Sequence, residues 1–231
     1  MKYIYLSMVF AFLVPMKGIP QQLSPFLWAT KSTWYMEFLC PVVNAISQKT
    51  SIVEVLDIGT GPGTLPQMLI EKNESLKVTG IDIDSTMIAE ANKRFHHDRV
   101  VYQIQQNPTR LGFAEAQFDA VTICSVLFFL NDTTRQNLLK EALRVIKPGG
   151  SIYILTPSGK KAVYSSLFEV WNFKPSFFNF TFPIWKIATT QGGRAWEKEN
   201  WAKKFACTNQ LNYSAELTFS NNAFLEILTK K

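Results

Sequence analysis

The chain is poor in the residues that build metal centres and disulfide frameworks. Its 231 residues include two histidines, adjacent at His96 and His97, and three widely separated cysteines, Cys40, Cys124 and Cys207. No CxxC pair or Cys/His cluster results, so neither a metal site nor a disulfide framework is expected. Charge is also scarce, at 18% of residues against 47% apolar. It is still far too plentiful for a polytopic membrane protein. A spanning helix needs roughly 20 apolar residues, and the uncharged N-terminal run from Tyr3 to Met16 has 14 and contains Pro15. The Met16-Lys17-Gly18-Ile19-Pro20 that follows is a poor cleavage site for a secretory signal.

Three readings of that segment stay open: a helix packed on the protein's own domain, one lying in a membrane interface with Trp28 and Lys31 as anchors, and, least favoured, a signal or anchor. The expected location is cytoplasmic, with residues 1–30 as the segment that would touch a membrane surface. The formal charge of +6 is unevenly spread. Residues 51–150 carry 10 basic and 12 acidic side chains, so the excess of positive charge sits in the flanks. Those basic residues stand among aromatic and aliphatic ones and form no Arg/Lys run. Nucleic acid is therefore not an expected partner, and the oligomeric state is not legible.

From Ser51 the pattern is regular. Val53–Ile58, Leu76–Ile81, Val100–Gln105, Phe118–Cys124 and Ser151–Thr156 read as buried strands. Helical stretches lie between them: Thr64–Glu71, a helix capped by Asp84, and one opened at Asp132 and stopped by Pro148-Gly149-Gly150. A turn is expected at Asn107-Pro108. Alternation of this kind predicts an α/β fold with a doubly wound, mostly parallel seven-stranded sheet. Residues 157–205 read as a helical insert, with seven Phe and Trp residues from Trp171 to Trp185. Tyr213–Ser220 and Ala223–Thr229, joined by Asn221-Asn222, read as an antiparallel C-terminal hairpin. The chain thus divides into an N-terminal helical extension, residues 1–50, and one domain, residues 51–231.

The first strand runs into Asp57-Ile58-Gly59-Thr60-Gly61-Pro62-Gly63, and the second ends at Gly80-Ile81-Asp82. Glycines let a backbone turn sharply and approach a ligand closely. An acid at the carboxyl end of the neighbouring strand can accept both hydroxyls of a ribose. The spacing is GxGxG rather than the GxGxxG of dinucleotide sites, and Asp57 directly before the loop suits an ammonium group while repelling phosphates. An adenosyl ligand with an amino-acid end fits these residues better than a nicotinamide dinucleotide.

Asp57–Gly63 resembles the first motif of class I S-adenosylmethionine-dependent methyltransferases, and Asp82 resembles their ribose-binding acid. Phe118-Asp119 and Leu143–Gly150 are similar to further landmarks of that family. The resemblance covers residues 50–156 well and 211–231 loosely. It implies S-adenosylmethionine as cofactor, with Gly59, Thr60, Gly61 and Gly63 along its methionine and ribose portion. It also implies Asp57 near the ammonium, Asp82 on the ribose, Ile83 over an adenine face, and the backbone around Cys124 and Ser125 at the methionine end. Asn107 stands where the family commonly has an acid for the adenine amino group; its side-chain oxygen can accept that bond without charge.

No catalytic residue is evident. Methyl transfer from a sulfonium needs chiefly alignment and desolvation, so a dedicated base is optional. Tyr153, Tyr164, Glu169 and Glu197 are possible acid/base groups, His96 and His97 read as surface residues, and Cys124 as a packing residue. The aromatic insert has two readings, a local core for a lid or an apolar pocket for a small, hydrophobic or lipid-like acceptor. The expected function is methyl transfer to such an acceptor. The alternatives are a membrane-associated protein that binds the methyl donor without turnover, and a nicotinamide-dependent oxidoreductase.

Overall fold

A computed structural model describes residues 25–107 and 110–231. The N-terminal run Tyr3–Met16, and Pro108 of the expected turn, lie outside these residues. Helices α1 (Pro25–Ala29) and α2 (Thr33–Ser47) come first, followed by β1 (Glu54–Ile58), α3 (Thr64–Lys72), β2 (Lys77–Asp82), α4 (Ser85–Arg94) and β3 (Val100–Ile104). Next are β4 (Phe118–Cys124), α5 (Asp132–Val145) and β5 (Ile146–Pro157). The insert holds α6 (Ser166–Glu169), α7 (Thr181–Glu199) and α8 (Trp201–Thr208), and β6 (Asn212–Thr218) and β7 (Ala223–Thr229) close the chain.

One seven-stranded sheet runs β3-β2-β1-β4-β5-β7-β6. The first five strands are parallel, while β7 is antiparallel to both β5 and β6. The chain winds outward from β1 to β3 and then returns to β4 on the other side of β1. The carboxyl ends of β1 and β4 therefore flank the switch point, where open α/β sheets bind ligands. The strands read from the sequence agree with these to within a residue at most ends. Asp84 caps α4 as expected, its carboxylate accepting from the Thr86 amide at 2.8 Å.

Two local expectations are corrected. Pro148-Gly149-Gly150 does not stop a helix; α5 already ends at Val145, and these residues lie inside β5. There the register against β4 shifts between Phe118 and Ala120. Gly149 takes a φ of +77°, and a Cβ on Gly150 would lie 2.8 Å from the Asp119 carbonyl oxygen. The glycines thus serve a bulge that needs close backbone approach. The hairpin is also wider than an Asn-Asn turn: Phe219, Ser220 and Asn221 all have positive φ. Asn222 turns inward instead, accepting from the Lys186 ammonium at 2.7 Å and donating to Glu169 at 2.7 Å.

The core has one cluster on each face of the sheet. On the face covered by α2 and α3, the fully buried Trp34 meets Phe182 at 5.5 Å and Trp185 at 5.1 Å between ring centroids. Its indole N–H donates to the Thr181 hydroxyl at 2.9 Å. Phe173, Phe182 and Trp185 of the insert also pack against Phe219 of the hairpin loop. The inner aromatic residues of the insert are therefore core, as the first of its two readings has it. They join the helix before the sheet to the segment after it.

Among the described residues no helix is long and apolar enough to cross a membrane. Trp28 packs edge-on against Phe180 at 5.9 Å, and the Lys31 ammonium lies 5.8 Å from the Phe178 ring centroid.

Replacing Trp34 with Ala removes a fully buried indole and leaves the Thr181 hydroxyl without its donor. A loss of about 3–5 kcal/mol is expected, measurable by urea unfolding monitored by circular dichroism.

Candidate functional site

The loop after β1 is fixed from beneath. The amides of Gly59 and Thr60 donate to the Ile81 carbonyl at 2.8 and 3.0 Å, tying the turn to β2. Gly59 has a φ of +74° and Gly63 a φ of +80°, conformations that L side chains rarely adopt. A Cβ on Gly59 would overlap Val126, and one on Gly63 would overlap the Tyr102 hydroxyl. Glycine is required here for space as well as for backbone geometry.

Asp57 stands near the end of β1, 2% exposed, paired in register with Gly80 on one side and Thr122 on the other. Its carboxylate accepts from the Thr122 hydroxyl at 2.6 Å. Burial lifts its pKa to about 6; the hydroxyls of Thr122 and Thr60 oppose the shift, and the nearby Asp82 charge adds to it. Gly80 makes room: a Cβ there would lie 2.7 Å from the Thr60 hydroxyl and 2.9 Å from the Tyr102 ring.

Asp82 ends β2 with both oxygens aimed by backbone amides. One accepts from Gly61 at 2.9 Å and the other from Asp84 at 2.9 Å. Burial raises its pKa, against the pull of those amides. Each oxygen keeps acceptor capacity for a further donor. Ile83, next in the chain, is 67% exposed, an apolar side chain without cover at the rim.

Across the switch point, β4 ends at Cys124. Burial and the Asp57 charge push its thiol well up, so it stays protonated, in keeping with its reading as a packing residue. Ser125 adopts a left-handed φ of +58° while its amide donates to the Leu155 carbonyl at 2.8 Å. Its hydroxyl is buried with no hydrogen-bond partner among the described residues. Asn107 lies on an exposed stretch beyond β3, where Gln105 donates to its carbonyl, and the Gln105 amide in turn donates to the Asp82 carbonyl at 2.7 Å.

The glycine loop, Asp57, Asp82, Ile83, Cys124 and Ser125 thus gather at one end of the sheet. This set fits an adenosyl amino acid. A glycine cradle leaves space for a ligand beside the unpartnered Ser125 hydroxyl and the aimed Asp82 carboxylate. Asp57 adds a buried acid at the same end. No cluster that could hold a metal is present among the described residues.

Some site-forming residues carry no sequence motif. Phe26 of α1 sits over Gly61, its ring 3.4 Å from where a Cβ would be. Tyr35 of α2 packs edge-on to Phe26 and lies within electrostatic reach of Cys124, Asp57, Arg94 and Asp82; its phenol is held neutral mainly by burial. Nothing in the local sequence marks either; only the packing of α2 beside α3 brings them to the mouth.

The acid/base candidates lie elsewhere. Tyr153 is fully buried in β5, its ring under Lys49 at the foot of α2. Glu169 is tied to Lys161, Ser165 and Asn222, and Glu197 to Lys160. Tyr164 is 73% exposed. His96 is exposed and His97 stacks on Phe95, away from the loop.

Residues 55–150 match the family described as methyltransferase domain. The chain is 34% identical over 113 residues to a ubiquinone/menaquinone biosynthesis C-methyltransferase of Desulfotalea psychrophila, covering 48% of this chain and 45% of that protein. It is 31% identical over 144 residues to a demethylmenaquinone methyltransferase of Thermotoga maritima, covering 59% and 61%. The chain therefore matches only about half the length of these curated relatives. The fold is shared with the plantazolicin methyltransferase solved with S-adenosylhomocysteine, at a TM-score of 0.69 and 12% identity over 99% of this chain and 96% of that one. It is shared too with an S-adenosylmethionine-dependent methyltransferase structure from Methanococcus maripaludis, at a TM-score of 0.65 and 20% identity over 86% and 88%. These matches set the oxidoreductase alternative aside. The glycine loop, the acid ending β2 and the sheet order, together with the methyltransferase domain matched over residues 55–150, give the chain the fold shared by S-adenosylmethionine-dependent methyltransferases.

Proposed function

We propose that the chain transfers a methyl group to a small, apolar, quinone-like acceptor. The observation that carries the donor side is the pair of acids flanking a positive-φ glycine loop at the switch point. Asp82 would accept the ribose hydroxyls, with Gly61 and Asp84 fixing its orientation. Asp57 would face the ammonium, with Gly59, Thr60, Gly61 and Gly63 along the methionine and ribose portion. Ile83 would cover one adenine face, Asn107 would accept from the adenine amino group, and the backbone at Cys124 and Ser125 would meet the methionine end.

S-adenosylmethionine supplies a methyl group already activated on a sulfonium. The protein's part is then to align the acceptor and exclude water. Val126, Phe128 and Phe129 follow directly on Ser125 and would give the acceptor apolar walls. Phe128 is held from behind by Gly192 of α7, where a Cβ would lie 2.6 Å from its ring. Arg135 secures the same turn: it is buried against Trp196 and Trp201 and donates to the carbonyls of Leu127 at 3.1 Å and Leu130 at 2.9 Å. The relatives named for ubiquinone/menaquinone biosynthesis and for demethylmenaquinone support a quinone-like ring as acceptor. Incubating the full chain with S-adenosylmethionine and reduced naphthoquinones or benzoquinones tests this reading. Release of S-adenosylhomocysteine is expected. Tight nucleoside binding with no release from any acceptor would favour the non-catalytic alternative.

Asp82→Asn removes one acceptor from a charge-assisted ribose contact. S-adenosylhomocysteine should bind about 10–100-fold more weakly by calorimetry.

Asp57 gives a pH signature. Its folded pKa, about 6, lies above the ordinary 3.8, so folding favours the protonated acid. That contribution to stability is complete below the unfolded value and is lost as pH rises through about 6. Near pH 7 Asp57→Asn should therefore raise the melting temperature of ligand-free protein by a few degrees. Nucleoside binding should show the opposite dependence, strengthening as Asp57 ionises through about pH 6. The Asn variant should lose that slope.

A further inference from the structure

The insert spends its inner aromatic residues on the core and turns others outward. Tyr164, Phe168, Trp171 and Phe177 are 73%, 74%, 84% and 83% exposed. With aromatic side chains presenting ~150–250 Å² each, these four expose on the order of 500 Å², as much as the largest apolar patch of an ordinary monomer. Phe177 packs against Phe180, and Phe180, Ile184 and Ile187 follow helical spacing along the outer side of α7, all of them exposed. This segment begins at the carboxyl end of β5, so it lies at the same end of the sheet as the glycine loop.

We propose that this face docks on an anionic lipid bilayer. Charge is the first support. Of the four lysines in residues 157–190, Lys186 is buried on Asn222 and Lys160 and Lys161 are paired with Glu197 and Glu169, which leaves Lys174 without an ion pair among the described residues. Lys174 is exposed among the aromatic residues, and Lys31 lies over Phe178. Exposed Trp, Tyr and Phe rings interleaved with lysine suit the boundary between head groups and acyl chains. The second support is where the preceding chain arrives. The 14 uncharged residues Tyr3–Met16 are separated by eight residues from Pro25, and Trp28 of α1 seats on Phe180 of this same face. A second copy of the chain fits less well, because a two-fold contact would bring the same lysines, Lys31 and Lys174, together from both copies.

The proposal is independent of methyl transfer, since lipid binding is read without cofactor or acceptor. Its test is co-sedimentation of the full chain with vesicles of phosphatidylcholine alone, or of phosphatidylcholine mixed with phosphatidylglycerol. The full chain should prefer the mixed vesicles. Combining Phe168→Ser, Trp171→Ser and Phe177→Ser should lower its partitioning about tenfold or more with an unchanged circular dichroism spectrum, because these side chains are exposed. Lys31→Glu with Lys174→Glu should abolish the preference for mixed vesicles. The proposal is overturned if the full chain binds neither vesicle, or if the triple variant binds as well as the parent. It also fails if deleting residues 1–24 removes binding that the triple variant retains. A dimer in sedimentation velocity that the triple variant dissolves would assign the face to a second copy instead.

Discussion

A buried carboxylate governs the arrangement of this protein's working end. Asp57 lies between two strands with a hydroxyl as its hydrogen-bond partner and a second acid, Asp82, close enough to raise its pKa further. Taking such a group out of water is costly, and the neighbouring residues reflect that cost. Thr122 lies opposite it in register to donate, and Gly80 lies on the other side to leave room for Thr60 and Tyr102. The loop beyond can pass over this spot only because Gly59 and Gly63 carry no side chain. In the proposed function the ligand's ammonium supplies the counter-charge to Asp57, so the stability cost in the free protein becomes selectivity in the bound one.

The rest of the fold holds that end in place. Trp34, Phe182, Trp185 and Phe219 join the helix before the sheet, the insert and the hairpin loop in one aromatic cluster. The insert is thus anchored as part of the core rather than resting on the domain as a loose lid. A second set of contacts works on the opposite face. The buried Arg135 clamps the turn after β4, and the Glu226 carboxylate accepts from Trp196 at 2.6 Å and Tyr213 at 2.7 Å. Arg135, with Gly192 behind Phe128, holds Val126–Leu130, the residues proposed to wall the acceptor. With the inner aromatic residues committed to packing, the exposed ones remain available for a partner, the role the lipid-docking proposal gives them.

Much of this was legible in the sequence because local signals agreed with one another. Five short apolar runs, an Asp cap before α4 and a glycine cluster following a strand all pointed to the same sheet. Asp57, Asp82, Ile83 and Ser125 lie together because each stands at the carboxyl end of a strand, which a short apolar run bounded by turn residues locates well. What escaped was set by contacts distant in sequence. Tyr35 and Phe26 reach the mouth only through the packing of α2, and α1 before it, beside α3, about 20 or more residues ahead of the motif. Pro148-Gly149-Gly150 looked like a helix stop because those residues favour one. The need was instead for a bulge beside Asp119, visible only once β4 and β5 are paired. Asn221-Asn222 looked like a tight turn until Asn222 was engaged by Lys186 and Glu169 from the insert.

The central claim is that the two acids hold an adenosyl amino acid between them at the switch point. The most direct measurement is a crystal structure of the full chain with S-adenosylhomocysteine. The account predicts ribose hydroxyls on the Asp82 carboxylate and the ammonium facing Asp57, with the nucleoside lying along Gly59–Gly63. A nucleoside found elsewhere, or one passing the loop with Asp82 still engaged only by Gly61 and Asp84, would contradict it.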